Sequence, residues 1–287
     1  MTRRAQPALD GDLMLTEISN VRSNNPLRGD YRVLVLKSPQ IAPQVQPGQF
    51  IHVRVPGLNE AVLRRPFSVF KSDASTLSVL YKCIGKGTRT MSHLRPGDDV
   101  SILGPLGKGF PPIRPDVVPI LIAGGYGIAA LYLSAQRAPV PGVVFVGGAG
   151  TDDILCVNDF TKIGWQIHTT TEDGSLGEKG LVTTAVDKWL CQNRDLQPLD
   201  FFACGPMSML KAVSDRAQAG GWTAWLSLDR HMGCGMGACL ACVQKVKTPA
   251  TVPPDSLKPK NAVEWKWSRV CTEGPVFECR DIVWDET

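Results

Sequence analysis

The chain has 287 residues, 43% of them hydrophobic and 20% charged, which is enough for one large globular domain or two medium ones. A formal net charge of +4 supplies no basic stripe of the kind that grips a phosphate backbone, so a nucleic-acid partner is not expected. The apolar runs, such as residues 117–123, fall well short of the roughly 20 residues of a membrane span, so no membrane partner is expected either. The opening Met-Thr-Arg-Arg-Ala-Gln is charged with no apolar core behind it, which argues against export and for a cytoplasmic protein.

The first third reads as short strands divided by turn residues: 31–37 (YRVLVLK), 50–55 (FIHVRV), 77–82 and 100–103, with Pro-Gly at 47–48 and 96–97. Strands this short and closely spaced predict a small antiparallel barrel. Leu63-Arg-Arg-Pro-Phe-Ser-Val69 closes one strand, and Ile84-Gly-Lys-Gly-Thr-Arg89 follows about one hairpin later. The Arg65 guanidinium is a rigid fork of donors suited to phosphate. Gly85 and Gly87 let backbone approach a pyrophosphate, and Thr88 adds a donor. On these residues alone, a surface arginine and a plain turn fit equally well. The proline-rich stretch 110–115 (FPPIRP) marks a first boundary, placing a barrel domain at 1–112.

Beyond it, strand and helix alternate: strands at 118–123, 143–147, 167–170, 200–203 and 223–228, helices at 128–137, 182–190 and 207–219. That order predicts a parallel sheet with crossover helices over 113–228. Ala123-Gly-Gly-Tyr-Gly-Ile-Ala-Ala130 is a strand-to-helix turn where Gly124, Gly125 and Gly127 open room for phosphate at a helix N-terminus. It is not G-x-G-x-x-G, so the doubly wound dinucleotide fingerprint is unmatched, and tight packing explains such glycines as readily. Cys204-Gly-Pro206 also ends a strand before a helix, on the edge where open α/β sheets bind ligands.

Nine cysteines form an odd number, and five of them crowd the C-terminal segment 229–287. Cys234, Cys239 and Cys242 stand at C-x4-C-x2-C, with Cys271 further on, the plant-type [2Fe–2S] spacing. Two bridged irons need four thiolates converging on a small core, so three must come from one tightly wrapped loop. Gly233, Gly235 and Gly237 permit that wrap and bring N–H groups towards the sulfurs. A four-cysteine zinc site would favour two C-x2-C knuckles, which this spacing lacks. Cys279 lies past the quartet and is expected to pack, as are the scattered Cys83, Cys156, Cys191 and Cys204. His231 has no second histidine at a spacing that would make a Rieske-type pair.

Taken in order, these motifs resemble the ferredoxin–NADP reductase superfamily, and more narrowly the electron-transfer subunits of NAD-linked dihydroorotate dehydrogenase. Arg65, Pro66, Phe67 and Ser68 are similar to the family's R-P-x-S flavin motif. Leu80, Tyr81 and Lys82, then Gly87 and Thr88, match its later FAD contacts. Residues 104–110 match GPLGxGF, residues 169–182 resemble TDDGSxGxKGxV, and 273–277 follow the cluster cysteines as its closing segment. The resemblance implies FAD in the barrel and NAD(H) as co-substrate on the sheet, contacted by Gly124, Gly125, Gly127, Gly205 and Pro206. It places Ser68 near the flavin's reactive edge and Cys204 near the nicotinamide. It implies a small [2Fe–2S] domain over 229–287, held by Cys234, Cys239, Cys242 and Cys271. The implied partner is an FMN-containing catalytic dehydrogenase subunit oxidising dihydroorotate to orotate, in a heterotetramer of two of each. Departures are Ala130 where the family has proline, Tyr126 where it has a small aliphatic, and a longer stretch from Cys242 to Cys271 carrying Pro249, Pro253, Pro254, Trp265 and Trp267. Rival readings are a ferredoxin:NADP-type or other iron–sulfur flavoprotein reductase subunit serving a different partner, and a cofactor-free zinc-bearing interaction module.

Overall fold

A computed structural model describes residues 14–58, 62–196, 198–248 and 264–284, so Pro249, Pro253 and Pro254 lie outside the described residues. Six antiparallel strands close the barrel: β1 (Leu15–Arg28), β2 (Tyr31–Lys37), β3 (Phe50–Arg54), β4 (Arg65–Ser72), β5 (Thr76–Lys82) and β6 (Asp99–Leu106). They run in the order β1-β2-β5-β4-β3-β6. Alternation sets their faces: Ile51 and Val53 of β3 enter the barrel core with Val69, Leu77 and Val79, while Phe50 looks outward into a second core. Two strands escape the sequence pattern. β1 carries Asn20, Asn24, Asn25 and Pro26 and has register shifts, so it lacks a clean alternation. β4 contains Pro66, a residue that ordinarily weakens a strand assignment. The Gly85–Thr88 turn leads into a short helix, α1 (Lys86–Met91), where Thr88 Oγ1 accepts from the Ile84 and Gly85 amides at 3.1 and 3.2 Å.

The next elements are β7 (Val118–Gly124), α2 (Ile128–Gln136), β8 (Val143–Gly148), α3 (Val157–Lys162), β9 (Gln166–Thr171), β10 (Glu178–Lys179), α4 (Val182–Gln192), β11 (Leu199–Cys204), α5 (Met207–Gly220) and β12 (Thr223–Ser227). Both faces of this sheet are buried, as helix-covered parallel strands require. Ile120, Ile122, Phe145 and Phe201 fill one side, and Leu121, Val144, Val146 and Phe202 the other. Helix α2 is buried from Ile128 to Ala135 because it serves both units: Tyr132 meets Phe70 of the barrel at 5.0 Å, and Leu133 joins the barrel core.

The C-terminal segment adds β13 (Val243–Lys247), β14 (Trp265–Arg269) and β15 (Val276–Glu278). The first two pair as an antiparallel hairpin that begins beside Cys242 and returns beside Cys271. Strand β15 joins the edge of the large sheet antiparallel to β12. The parallel sheet expected over 113–228 is thus extended by an antiparallel edge strand from outside that span: the sheet is seven-stranded and mixed, in the order β10-β9-β8-β7-β11-β12-β15. The stretch around Cys279 reads as strand-like in sequence, but three residues following Gly-Pro carry too little periodicity to show that they join this sheet.

Barrel and C-terminal segment meet at Gly107. Its φ is +75°, and a Cβ there would stand 2.5 Å from the Gly274 carbonyl and 2.9 Å from Phe50. Gly57 has the same backbone conformation, φ +74°, but open space around it. Gly57→Ala should therefore lower stability by about 1–2 kcal/mol, the left-handed backbone term alone. Gly107→Ala should lower it by clearly more, because the contact must also open. Urea denaturation of both variants checks this, and equal midpoints would contradict it.

Candidate functional site

The chain winds β7, β8, β9 outward to one side and then returns to β11 on the other side of β7. Open α/β sheets bind ligands where the order reverses in this way. At that point lies a crevice of about 670 Å3. Gly124, Gly125, Tyr126 and Gly127 form one wall and Cys204, Gly205 and Pro206 the facing one, so the structure brings together six of the residues singled out in the sequence, with Tyr126. A Cβ on Gly127 would sit 2.2 Å from the Cys204 carbonyl oxygen, and one on Gly205 would sit 2.9 Å from the Gly124 amide. Packing therefore demands these glycines, and the same bareness leaves the start of α2 open to an anionic ligand.

The charged side chains lining the crevice, among the described residues, are Asp153, Glu172 and Asp229, with no Lys, Arg or His. Burial raises the Asp229 carboxyl above its ordinary range, opposed by His231 and by a hydrogen bond with Tyr126. Burial, then the Asp229 charge, raises Tyr126 in turn. Burial pushes the Cys204 thiol up to about 12, so it stands as a neutral wall group and not as a thiolate. Asp229 and Asp153 were missed in the sequence, since single carboxylates outside any motif give no signal.

The barrel residues lie off this crevice, apart from Tyr31 at its rim. Ser68 sits opposite Phe50 across β4 and β3. Pro66 and Ser68 share the outer face, while Phe67 turns inward against Tyr81. The Arg65 side chain runs beside Gly87, its Nε 3.4 Å from where a Cβ would be. Leu80 and Tyr81 are both buried, and the Tyr81 hydroxyl donates to Asn24 at 2.9 Å. Lys82 donates to Asp153 at 3.1 Å, and Tyr31 donates to the same carboxylate at 2.6 Å. This trio ties barrel to sheet at the rim; burial and Asp153 push the Tyr31 hydroxyl up to about 12.

Four of the five C-terminal cysteines associate as two pairs. Cys239 lies beside Cys234, and Cys242 beside Cys271, with Cys234 close enough to Cys271 to act on it electrostatically. The amides of Met236, Ala238 and Cys239 donate to Cys234 Sγ at 3.4, 3.3 and 3.4 Å, and the Cys271 amide to Cys242 Sγ at 3.4 Å. Partial burial pushes the Cys234 thiol up, but those amide bonds outweigh it and bring it down to about 6. Burial and the neighbouring Cys242 push Cys271 up to about 12. Among the described residues, no three His, Cys, Asp or Glu groups converge as ligands of a metal ion. Two thiol pairs nonetheless match a four-sulfur, two-iron core, and the buried Thr272 hydroxyl beside them has no hydrogen-bond partner among the described residues. Cys279 is buried in the main core, as expected of a packing residue, whereas Cys191 is exposed on α4, contrary to its expected burial.

Residues 229–254 match the family model described as the iron–sulfur cluster binding domain of dihydroorotate dehydrogenase B. The dihydroorotate dehydrogenase B (NAD(+)) electron transfer subunit of Shouchella clausii is 34% identical over 274 residues, covering 92% of this chain and 96% of that protein. This chain belongs to that family. The corresponding subunit of Geobacillus kaustophilus is 36% identical over 245 residues, covering 83% of this chain and 87% of that protein. Among solved structures, an NADH-dependent reduced ferredoxin-NADP oxidoreductase superposes with a TM-score of 0.78 at 26% identity, covering 93% of this chain and 90% of the other. The ferredoxin reductase of carbazole 1,9a-dioxygenase, at 18% identity with a TM-score of 0.61 and coverage of 75% and 68%, shares the fold. The protein is thus an electron-transferring oxidoreductase subunit of the flavin- and NAD-linked kind. No described helix is long and apolar enough to cross a membrane.

Thiol reactivity tests the site's electrostatics. In metal-free protein, iodoacetamide at pH 7 should alkylate Cys234 quickly, with a rate that halves near pH 6, because its thiolate predominates above that value. Cys204 should stay unlabelled well beyond neutrality. Peptide mass spectrometry that finds Cys204 modified as fast as Cys234 would contradict this.

Proposed function

We propose that the protein relays electrons between NAD(H) and an FMN-containing dihydroorotate dehydrogenase subunit through FAD and a [2Fe–2S] cluster. The observation that carries the reading is the pairing of four thiols, three of which, including the one drawn down by three backbone donors, lie in the segment that the cluster-domain model matches. Bound FAD would supply hydride exchange with the nicotinamide and one-electron exchange with the cluster. On this reading FAD lies on the barrel of residues 1–112, NAD(H) on the sheet of 113–228, and the cluster in 229–287.

The chain's own groups have distinct tasks. Arg65 and the open Gly85–Thr88 turn would hold the pyrophosphate of FAD, and Pro66 and Ser68 would present the outer barrel face to its ring. Gly124, Gly125, Gly127, Gly205 and Pro206 would seat the dinucleotide at the switch point. Cys204, neutral at physiological pH, would bound the nicotinamide without competing as a nucleophile. Three acids and, among the described residues, no cation lining that crevice favour a dinucleotide without a 2′-phosphate, hence NAD(H) over NADP(H). The names of the Shouchella and Geobacillus relatives support the dihydroorotate-linked partner; on this reading the assembly holds two subunits of each kind.

The purified protein should be brown-yellow, hold FAD and two irons per chain, and be reduced by NADH at least about tenfold more efficiently than by NADPH. Cys271→Ala should abolish the EPR signal of the reduced cluster while NADH still bleaches the flavin. Cys279→Ala should preserve both signals. Full cluster signal in Cys271→Ala, or its loss in Cys279→Ala, would overturn the ligand assignment. Flavin-loaded protein inert to both nucleotides would overturn the function.

A further inference from the structure

His52 lies on β3 directly across from Pro66 of β4. Ile51 and Val53 on either side point into the barrel, so His52 points outward with Phe50, onto the face that Pro66 and Ser68 share. That side chain has no exposed surface, yet neither ring nitrogen has a hydrogen-bond partner among the described residues. A buried unsatisfied polar group ordinarily costs about 1–3 kcal/mol, so an apolar residue would suit a position concerned with packing alone.

What covers the ring is the cysteine loop. Gly235, with φ +73°, rests on it so closely that a Cβ would fall 2.7 Å from Cε1, 2.8 Å from Nδ1 and 2.9 Å from Nε2. Gly235 follows Cys234, whose sulfur already collects three backbone N–H bonds. The imidazole therefore fills the space between the barrel face carrying the flavin motif and the loop carrying the first thiol. It is the neutral form at physiological pH, because burial, with the Arg64 charge nearby, lowers it to about 4. A neutral imidazole always keeps one N–H to give.

We propose that His52 is a positioning residue for the iron–sulfur centre, its neutral imidazole seating the Cys234 loop and donating its N–H to a sulfur of that centre. The proposal rests on the four-cysteine reading above. It assigns a barrel residue, distant in sequence from every ligand, to the group of donors that set the cluster's potential, since hydrogen bonds to the sulfurs raise it by stabilising the more negative, reduced state.

The test uses the intact protein with FAD and cluster loaded. Two variants separate donation from packing: His52→Leu removes the N–H, and His52→Gln keeps one. Redox titration followed by EPR should show the cluster midpoint of His52→Leu moved to more negative potential, with altered g-values, while the FAD midpoint stays in place. In stopped-flow reduction by NADH, the cluster signal should lag flavin bleaching by about tenfold more than in the unaltered protein, within the range typical of lost outer-shell partners. His52→Gln should recover most of both properties. An unchanged cluster midpoint in His52→Leu would overturn the proposal. So would equal displacement in both variants, loss of the cluster from both, or a shift confined to the flavin. Absence of iron from the unaltered protein would instead overturn the four-cysteine reading itself.

Discussion

The structure turns on how a short glycine-rich loop holds negative charge. A thiolate in a protein interior is unfavourable unless donors face it, and the 234–239 turn supplies them from its own backbone. The loop also packs against its neighbours. It rests on His52 of the barrel at Gly235, and Gly237 packs against Thr272, the residue after the fourth cysteine. Barrel, loop and closing segment thus touch one another, and the contact of Gly107 with the Gly274 carbonyl joins the barrel to the closing segment directly.

The nucleotide crevice follows from a different constraint, the order in which strands are laid down. Once β11 returns beside β7, the two loops at their carboxyl ends must face each other, and only glycine allows the spacing found there. The barrel is held to this sheet by α2, buried on all sides, and by Asp153, which takes hydrogen bonds from both Tyr31 and Lys82. Two cofactor surfaces on separate units are useful for electron transfer only if their separation is fixed, and these contacts fix it.

The sequence was most informative where geometry demands particular residue types. The alternation of buried strands with helices from 118 onward and the strand 31–37 are found where the pattern indicated. It was least informative where pairing over long distances overrides local preference. β1 is held as a strand by β2 and β6 despite three asparagines and a proline, and β15 by β12 despite being three residues long. Between Cys242 and Cys271, the longer stretch gave no strand signal, yet residues 243–247 and 265–269 at its two ends pair, with Trp265 against Trp267 at 5.3 Å. Residues defined by an absence of partners, such as His52, leave no trace in a single sequence, because only the packed neighbours reveal that nothing satisfies them. Asp229 was hidden because its raised pKa comes chiefly from the burial around it, which a single sequence does not display.

The most direct test of the account is the metal itself. Protein purified anaerobically should contain two irons and two acid-labile sulfides per chain, with a Mössbauer spectrum of paired high-spin ferric sites. One zinc per chain, or a metal-free loop in protein that still binds FAD, would contradict it.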